Sequence, residues 1–291
     1  MSTFVLLLIT GLGLGALYFL VASGLSLIYG LMGVLNFAHG SFLTLSAFVG
    51  FEVGRRVGIS TWAGLFASLA VGAIVGAVFA ALTELLLIRP LYKRHIEQVL
   101  VTVGLSLATV ALFEGIWGPD PIFMEAGGWM RQTTNVLGAP IPNDRFVSIA
   151  AALLVLGGLV LFLNKTRYGL IIRAGVENRA MVTALGIDVR KAFTVVFTIG
   201  GVVAGIGGVL ASHYYGYVSP LLGGSLLIFA FIVTVIGGMG SLAGAAIASV
   251  LVALLQQFAN FYLGVGDLIV VLLLAVVLLV RPQGLLGKAA A

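Results

Sequence analysis

Asn36, His39 and Ser41 fall within one short break in a stretch that is otherwise apolar and uncharged. An imidazole and a hydroxyl are the parts of a nucleophilic pair. That chemistry also needs a third, orienting group and oxyanion donors, and the sequence identifies neither. Polar side chains beside interrupted backbone at membrane depth must line a cavity or be buried in protein. Two readings stay open: a solute path or gate, or a capping and packing cluster with Asn36 near a helix N-cap. Gln256, Gln257 and Asn260 form a second polar patch, with Asn260 at i+4 and i+3 from the glutamines on one helix face. They either line a pore or hydrogen-bond across helices. Glu84 and Glu114 each fall about one turn from a helix end, within reach of the interface, and Glu84 can also reach Arg89. A proton-coupled carrier calls for an acid at mid-membrane, and none is evident. The chain has no cysteine and three scattered histidines, His39, His95 and His213. Thiol nucleophiles and iron–sulfur clusters are excluded, and no metal site is expected.

These residues are carried by an all-α membrane protein. The 291-residue chain is 61% hydrophobic and 9% charged, against about 25% charge in an ordinary soluble domain. With about 20 apolar residues per crossing, the sequence predicts eight or nine transmembrane segments. They fall at about 4–30, 37–51, 62–88, 98–117, 146–164, 192–215, 222–237, 242–262 and 267–281. The count depends on whether 37–51 crosses or only re-enters. The apolar N-terminal stretch has no basic leader and reads as a first transmembrane helix rather than a cleavable signal. The net charge of +5 comes from loops, and no basic stripe with interleaved aromatics suggests nucleic acid.

The loops set the orientation. Arg89, Lys93 and Arg94 place the 89–97 loop inside. Pro119, Pro121, Pro140 and Pro142 bar a helix through the 118–145 loop, where Asp120, Glu125 and Asp144 outnumber Arg131 and Arg145; as the least basic long loop it is expected outside. Trp117, Trp129 and the string His213-Tyr214-Tyr215-Gly216-Tyr217 read as an outer aromatic belt. Lys165, Arg167, Arg173, Glu177, Arg179, Asp188, Arg190 and Lys191 form a basic island between two uncharged runs, 146–164 and 192–266, so the island belongs inside. Within it Val176, Ala180 and Ala184 recur every fourth residue, with Glu177, Asn178, Arg179 and Thr183 on the other face and Gly175 and Gly186 as punctuation. This predicts a short amphipathic helix over 176–185 whose small residues suit docking into a groove. A helix lying on the bilayer would present Trp, Phe or Leu instead.

Counted by parity, the first four segments start outside and the last four start inside, joined by 146–164. That is an inverted repeat with short, discontinuous helices, a common transporter plan. Gly40-Ser41-Phe42-Leu43 opens one short segment and Gly224-Ser225-Leu226-Leu227 the other. The pairs Gly11/Gly15, Gly72/Gly76, Gly201/Gly205 and Gly240/Gly244 predict close helix packing. The string Gly30-Leu31-Met32-Gly33 and the 237–241 turn read as true breaks. Gly11-x-Gly13-x-Gly15 lacks the Gly-Lys-Ser/Thr of a phosphate loop. If ATP drives this protein, another chain hydrolyses it.

Several strings occur in order along nearly the whole chain: Asn36-Phe37-Ala38-His39-Gly40, Arg89-Pro90, Tyr168-Gly169, Arg173-Ala174, Glu177-Asn178, Ala184-Leu185-Gly186-Ile187 and Gly237-Gly238-Met239-Gly240-Ser241. Together they resemble the permease of bacterial branched-chain amino-acid ABC importers, the LivH type. The resemblance implies a single permease domain over 1–291 in the bacterial inner membrane, with 118–145 periplasmic and 165–191 a cytoplasmic coupling loop. It implies a homologous second permease in a heterodimer, two cytoplasmic ABC ATPases holding ATP and Mg, and a periplasmic solute-binding protein. No cofactor would sit in this chain. Coupling would fall to Arg173, Glu177, Asn178, Arg179, Ala180, Ala184 and Gly186. The solute path is expected along Asn36, His39, Ser41, Gly237, Gly238, Gly240, Ser241, Gln256 and Asn260. The chain departs from the pattern at Leu227-Ile228-Phe229-Ala230, where relatives carry a polar or basic residue, and at Gly244, where proline is common. The solute therefore stays open among branched-chain amino acids, urea, short amides and aromatic acids. The competing reading is an ATP-independent carrier or facilitator.

Overall fold

The computed structural model describes residues 2–33, 35–92, 94–124, 128–186 and 188–287, with the backbone alone at 176–180. Ten α-helices dominate. They are α1 (Ser2–Met32), α2 (His39–Val57), α3 (Trp62–Thr83), α4 (His95–Trp117), α5 (Asn143–Lys165), α6 (Arg167–Ala184), α7 (Val189–Tyr215), α8 (Leu222–Gly237), α9 (Leu242–Leu263) and α10 (Gly266–Val280). Six are long and apolar enough to cross a membrane, counting the extension of α3 through Leu91. The other apolar helices, α8 and α10, have 16 and 15 residues. At 1.5 Å per residue they fall short of a hydrocarbon core of about 30 Å.

The helices pack as two related sets. α3 lies along α7 as α9 lies along α1. α2 packs on α3 and α7, and α8 packs correspondingly on α9 and α1. α2 also touches α4 as α8 touches α10. Matching α1–α4 with α7–α10 accounts for every one of these pairs. The two sets run in opposite directions. Gly13 of α1 meets Arg145 at the start of α5, whereas Leu31 meets Gly175 of α6. α7 runs the other way, starting beside α6. On the axis between the sets α2 crosses α8 reciprocally: a methyl on Gly40 would come 2.7 Å from the Gly223 carbonyl oxygen, and one on Gly223 would overlap the Gly40 carbonyl. The matching of the short segments is thus one residue off the sequence expectation, because Gly224 faces open space. Elsewhere Gly72 and Gly76 meet Gly205 and Gly201, so two of the small-residue pairs serve one interface.

Two helices differ from expectation in length. α2 continues past residue 51 because Glu52 and Arg55 pair at 3.2 Å across one exposed turn, and Gly58 at φ +114° then ends it. α6 starts at Arg167 rather than 176. The Thr166 hydroxyl caps it by accepting from Gly169 N–H at 3.0 Å. Gly169 and Gly175 do not interrupt it; they are contact points against Leu163 and Leu31. Among the described residues the buried stripe of α6 is Gly169, Ile172, Gly175 and Val182. Gly186 at φ +78° follows its end, as expected.

Among the described residues no α-helix runs through the proline-rich connection before Asn143, as expected, and apart from a 3-10 turn over Trp129–Arg131 it is folded as short strands. Strands β2 (Thr133–Val136) and β3 (Ala139–Pro142) form an antiparallel hairpin. Its turn residues Leu137 and Gly138 both have positive φ, the geometry that fits strand twist in a two-residue turn. Strand β1 (Ile122–Phe123) pairs with β4 (Tyr217–Val218), fastening this connection to the end of α7. At the opposite end of the bundle the tail after α10 turns back under α8. There Leu285 and Leu286 N–H groups donate to the Ile236 and Gly237 carbonyls at 2.7 and 3.0 Å, satisfying acceptors that a helix end leaves free.

Candidate solute cavity

At the hairpin end of the bundle, α1, α8, α9, α10 and the end of α7 enclose a cavity of about 410 Å³. Leu14, Leu222, Leu226 and Phe229 give it an apolar wall. Gln256, Gln257, Asn260 and Asp267 supply its polar lining. Tyr18 closes the bottom, stacked on Phe229 with ring centroids 5.1 Å apart. A polar relay crosses three helices. Tyr18 Oη donates to Gln256 Oε1 at 2.7 Å, and Gln256 Nε2 donates to Asp267 Oδ1 at 2.7 Å. Gln256 thus bonds across helices, as one of the two readings of the 256–260 patch expected, and also lines the cavity. Asn260 lines it as well.

The tyrosines read from sequence as an outer aromatic belt also line the cavity: Tyr214, Tyr215 and Tyr217 are all in its wall. Arg145 sits 3.3 Å from the centroid of the Tyr214 ring and pairs with Asp144 at 2.8 Å. Tyr18 and Asp267 were missed by sequence reasoning. A tyrosine inside a uniformly apolar helix and an acid opening the last one were the available signals.

Asn36, His39 and Ser41 lie together, but outside this cavity. His39 is fully buried, with Nε2 3.1 Å from the Val21 carbonyl oxygen. Only a protonated Nε2 suits that acceptor. Ser41 Oγ is 2.6 Å from Thr109 Oγ1, and Asn36 Oδ1 accepts from Ala38 N–H at 3.1 Å. The Asn36 bond turns the chain into α2, which is the capping and packing arrangement. Just beyond, Thr44 Oγ1 accepts from Gly223 N–H at 2.9 Å and donates to the Gly40 carbonyl at 3.1 Å. The α2–α8 crossing thus lies between the Asn36–His39–Ser41 cluster and Leu222 of the cavity wall.

The 237–241 turn lies at the other end of α9, about 22 Å of helix from Gln256. Gly237 meets Gly244, Gly238 meets the C-terminal tail, Gly240 meets Gly30, and Ser241 caps α9 by accepting from Gly244 N–H at 3.0 Å. These four residues form a packed turn remote from the cavity. In the island helix, Arg173 donates to Asn164 Oδ1 at 2.9 Å. Ala184 and Gly186 are exposed, as is the large apolar side chain of Leu185. The side chains of Glu177, Asn178, Arg179 and Ala180 lie outside the described residues.

Glu84 does not reach the interface. A π turn over Glu84–Ile88 rolls it inward, and its side chain is 0% exposed. It does meet Arg89, at 3.4 Å. Thr194 Oγ1 of α7 donates to its Oε2 at 2.8 Å, Arg89 Nη2 reaches Thr194 Oγ1 at 2.8 Å, and Tyr92 Oη donates to Oε1. Burial, then the bond to Glu84, push the Tyr92 phenol above its ordinary pKa. The cluster ties the end of α3 to the first turns of α7, where the chain leaves α6.

A helical bundle with inverted halves, a cavity at one end and an exposed helix at the other is the architecture of a membrane permease. Residues 7–281 match the family model described as branched-chain amino acid transport system / permease component, and the chain belongs to that family. The branched-chain amino acid transport permease LivH of Escherichia coli strain K12 is 30% identical over 288 residues, covering 96% of this chain and 94% of LivH. BraD of Pseudomonas aeruginosa is 29% identical over 291 residues, covering 97% and 95%. LivM of Escherichia coli strain K12 is 26% identical over 297 residues, covering 93% and 68%. No solved structure matches the chain. The chain is a multi-pass membrane permease subunit of an ABC importer.

Proposed function

We propose that this chain is the translocating half of a bacterial inner-membrane importer of branched-chain amino acids. It forms a single domain, with the 118–145 hairpin region periplasmic and 165–191 cytoplasmic. A loaded binding protein delivers solute at the hairpin end. A homologous second permease completes the membrane unit, two cytoplasmic ATPases hold ATP and Mg, and this chain carries no cofactor. The observation that carries this reading is the cavity. Its volume of about 410 Å³ lies in the range of small-molecule sites, with an apolar wall for an aliphatic side chain and a polar wall for its head group. The α2–α8 crossing beneath it serves as the closed gate, with Asn36, His39 and Ser41 on the far side. Nucleotide-driven movement of α6, through Arg173, Ala184 and the neighbouring 177–180 positions, reaches α7 directly and α3 through the Glu84 cluster, and opens that crossing.

The test is uptake of labelled leucine by vesicles holding the co-purified complex. Uptake that needs ATP and the binding protein supports the importer. Uptake by this chain alone without ATP sinks it in favour of a facilitator.

A further inference from the structure

Asp267 is the only Asp, Glu, Lys, Arg or His among the described residues lining the cavity. Its Oδ1 is taken by Gln256, whose amide is held in that orientation because the deeply buried Tyr18 hydroxyl occupies Gln256 Oε1. Asp267 Oδ2 accepts no hydrogen bond from the described residues. The relay leaves one negatively charged acceptor fixed at a wall that Tyr18, Tyr214, Tyr215, Tyr217 and Phe229 also line. Two arginines lie beside the tyrosine side of the cavity: Arg145, engaged by Asp144 and the Tyr214 ring, and Arg131, whose guanidinium packs against Gly216; neither lines the cavity or pairs with Asp267 among the described residues. Asp267 is itself solvent-exposed at the cavity wall; a carboxylate with no ion pair among the described residues still attracts positive charge and repels negative charge, with solvent screening part of its field.

We infer that Asp267, oriented by Tyr18 and Gln256, is a specificity element that takes the ammonium group of a zwitterionic amino acid, while Leu222 and Phe229 take its aliphatic side chain. This rests on the cavity being the solute path. The same field disfavours anionic solutes of the same shape, including the deaminated oxo acid, and gives neutral amides no charge pairing.

The chain has no cysteine, so a Ser225→Cys substitution places one thiol of this chain on the cavity wall. In native membranes with partner subunits present, a trimethylammonium methanethiosulfonate should label it about fivefold faster than the sulfonate counterpart. Asp267→Asn should bring the two rates together, whereas Asp267→Glu should keep them apart. L-leucine should slow labelling, and α-ketoisocaproate, its oxo acid, should not. Asp267→Asn should abolish the leucine protection. A cation preference that survives Asp267→Asn, no protection by leucine, or equal protection by α-ketoisocaproate would overturn the inference. None of these readouts needs ATP, so they are separable from a failure of the importer reading, which shows as missing ATP-dependent uptake by the unsubstituted complex.

Discussion

Substituting Glu84 by glutamine should loosen the junction between α3 and α7 without changing its shape. The carboxylate accepts from Tyr92, Thr194 and Arg89. Hydrogen bonds to a charged acceptor stabilise by about 1 kcal/mol more than neutral ones. The Arg89 side chain is 38% exposed, so solvent screens its share and that bond is discounted. The expected cost of Glu84→Gln is therefore about 2 kcal/mol. Glu84→Ala should cost about 4 kcal/mol, because it also leaves the Tyr92 hydroxyl without its acceptor and opens a void. Thr194→Val should cost about 1–2 kcal/mol, since the Thr194 hydroxyl gives up its one proton, shared between Glu84 and the Arg190 carbonyl, and no longer accepts from the part-exposed Arg89. A double-mutant cycle between Glu84→Gln and Thr194→Val should return about 1 kcal/mol of coupling. SDS-induced unfolding of the purified chain in mixed micelles measures all four quantities. A Glu84→Gln protein within about 0.5 kcal/mol of its parent, or a cycle that closes to zero, would refute the cluster as a tie between the helices.

Three further outcomes follow from the geometry. Gly223→Ala should cost about 1–3 kcal/mol and abolish leucine uptake, because the added methyl overlaps the Gly40 carbonyl, while Gly224→Ala, in open space, should leave both unchanged. Ala184→Trp, on the exposed end of α6, should leave the chain folded and assembled yet uncouple ATP hydrolysis from uptake; normal uptake would remove α6 from the coupling path. Truncation after Arg281 should destabilise the α6 end of α8 by about 2 kcal/mol, since two carbonyls lose their donors, detectable as faster hydrogen exchange confined to residues 230–240.

The helices were legible because long uncharged runs leave few alternatives, and the charged island and the prolines fix where the runs stop. The site was legible only where polarity stood out against its helix. Gln256 and Asn260 are polar in an apolar segment and do line the cavity. Asn36, His39 and Ser41 stand out in the same way, but their polarity is absorbed by Val21, Thr109 and the turn into α2. Type and spacing cannot separate a side chain satisfied by its own fold from one aimed into a space. Tyr214, Tyr215 and Tyr217 give no hint of a cavity, since an aromatic run beside an outer loop has the composition of an interfacial belt. Asp267, which lines the same cavity, is distant in sequence and is brought there by the packing of α10 on α9. The island helix extends beyond its small-residue repeat because the Thr166 cap lies outside the periodic stretch.

The reciprocal crossing of α2 and α8 implies more than a closed gate. Two inverted copies of one four-helix unit are present in a single molecule, and they are not in the same shape: α2 carries 19 residues and α8 carries 16, and the cavity described above is lined from α8 and not from α2. Exchanging those shapes, so that α1–α4 adopt the arrangement of α7–α10 and the reverse, generates a second conformer in which the opening faces the opposite compartment. The molecule thus carries a template for its own opposite-facing state, and distances between paired labels on the two copies can be calculated from that exchange before a second structure is determined.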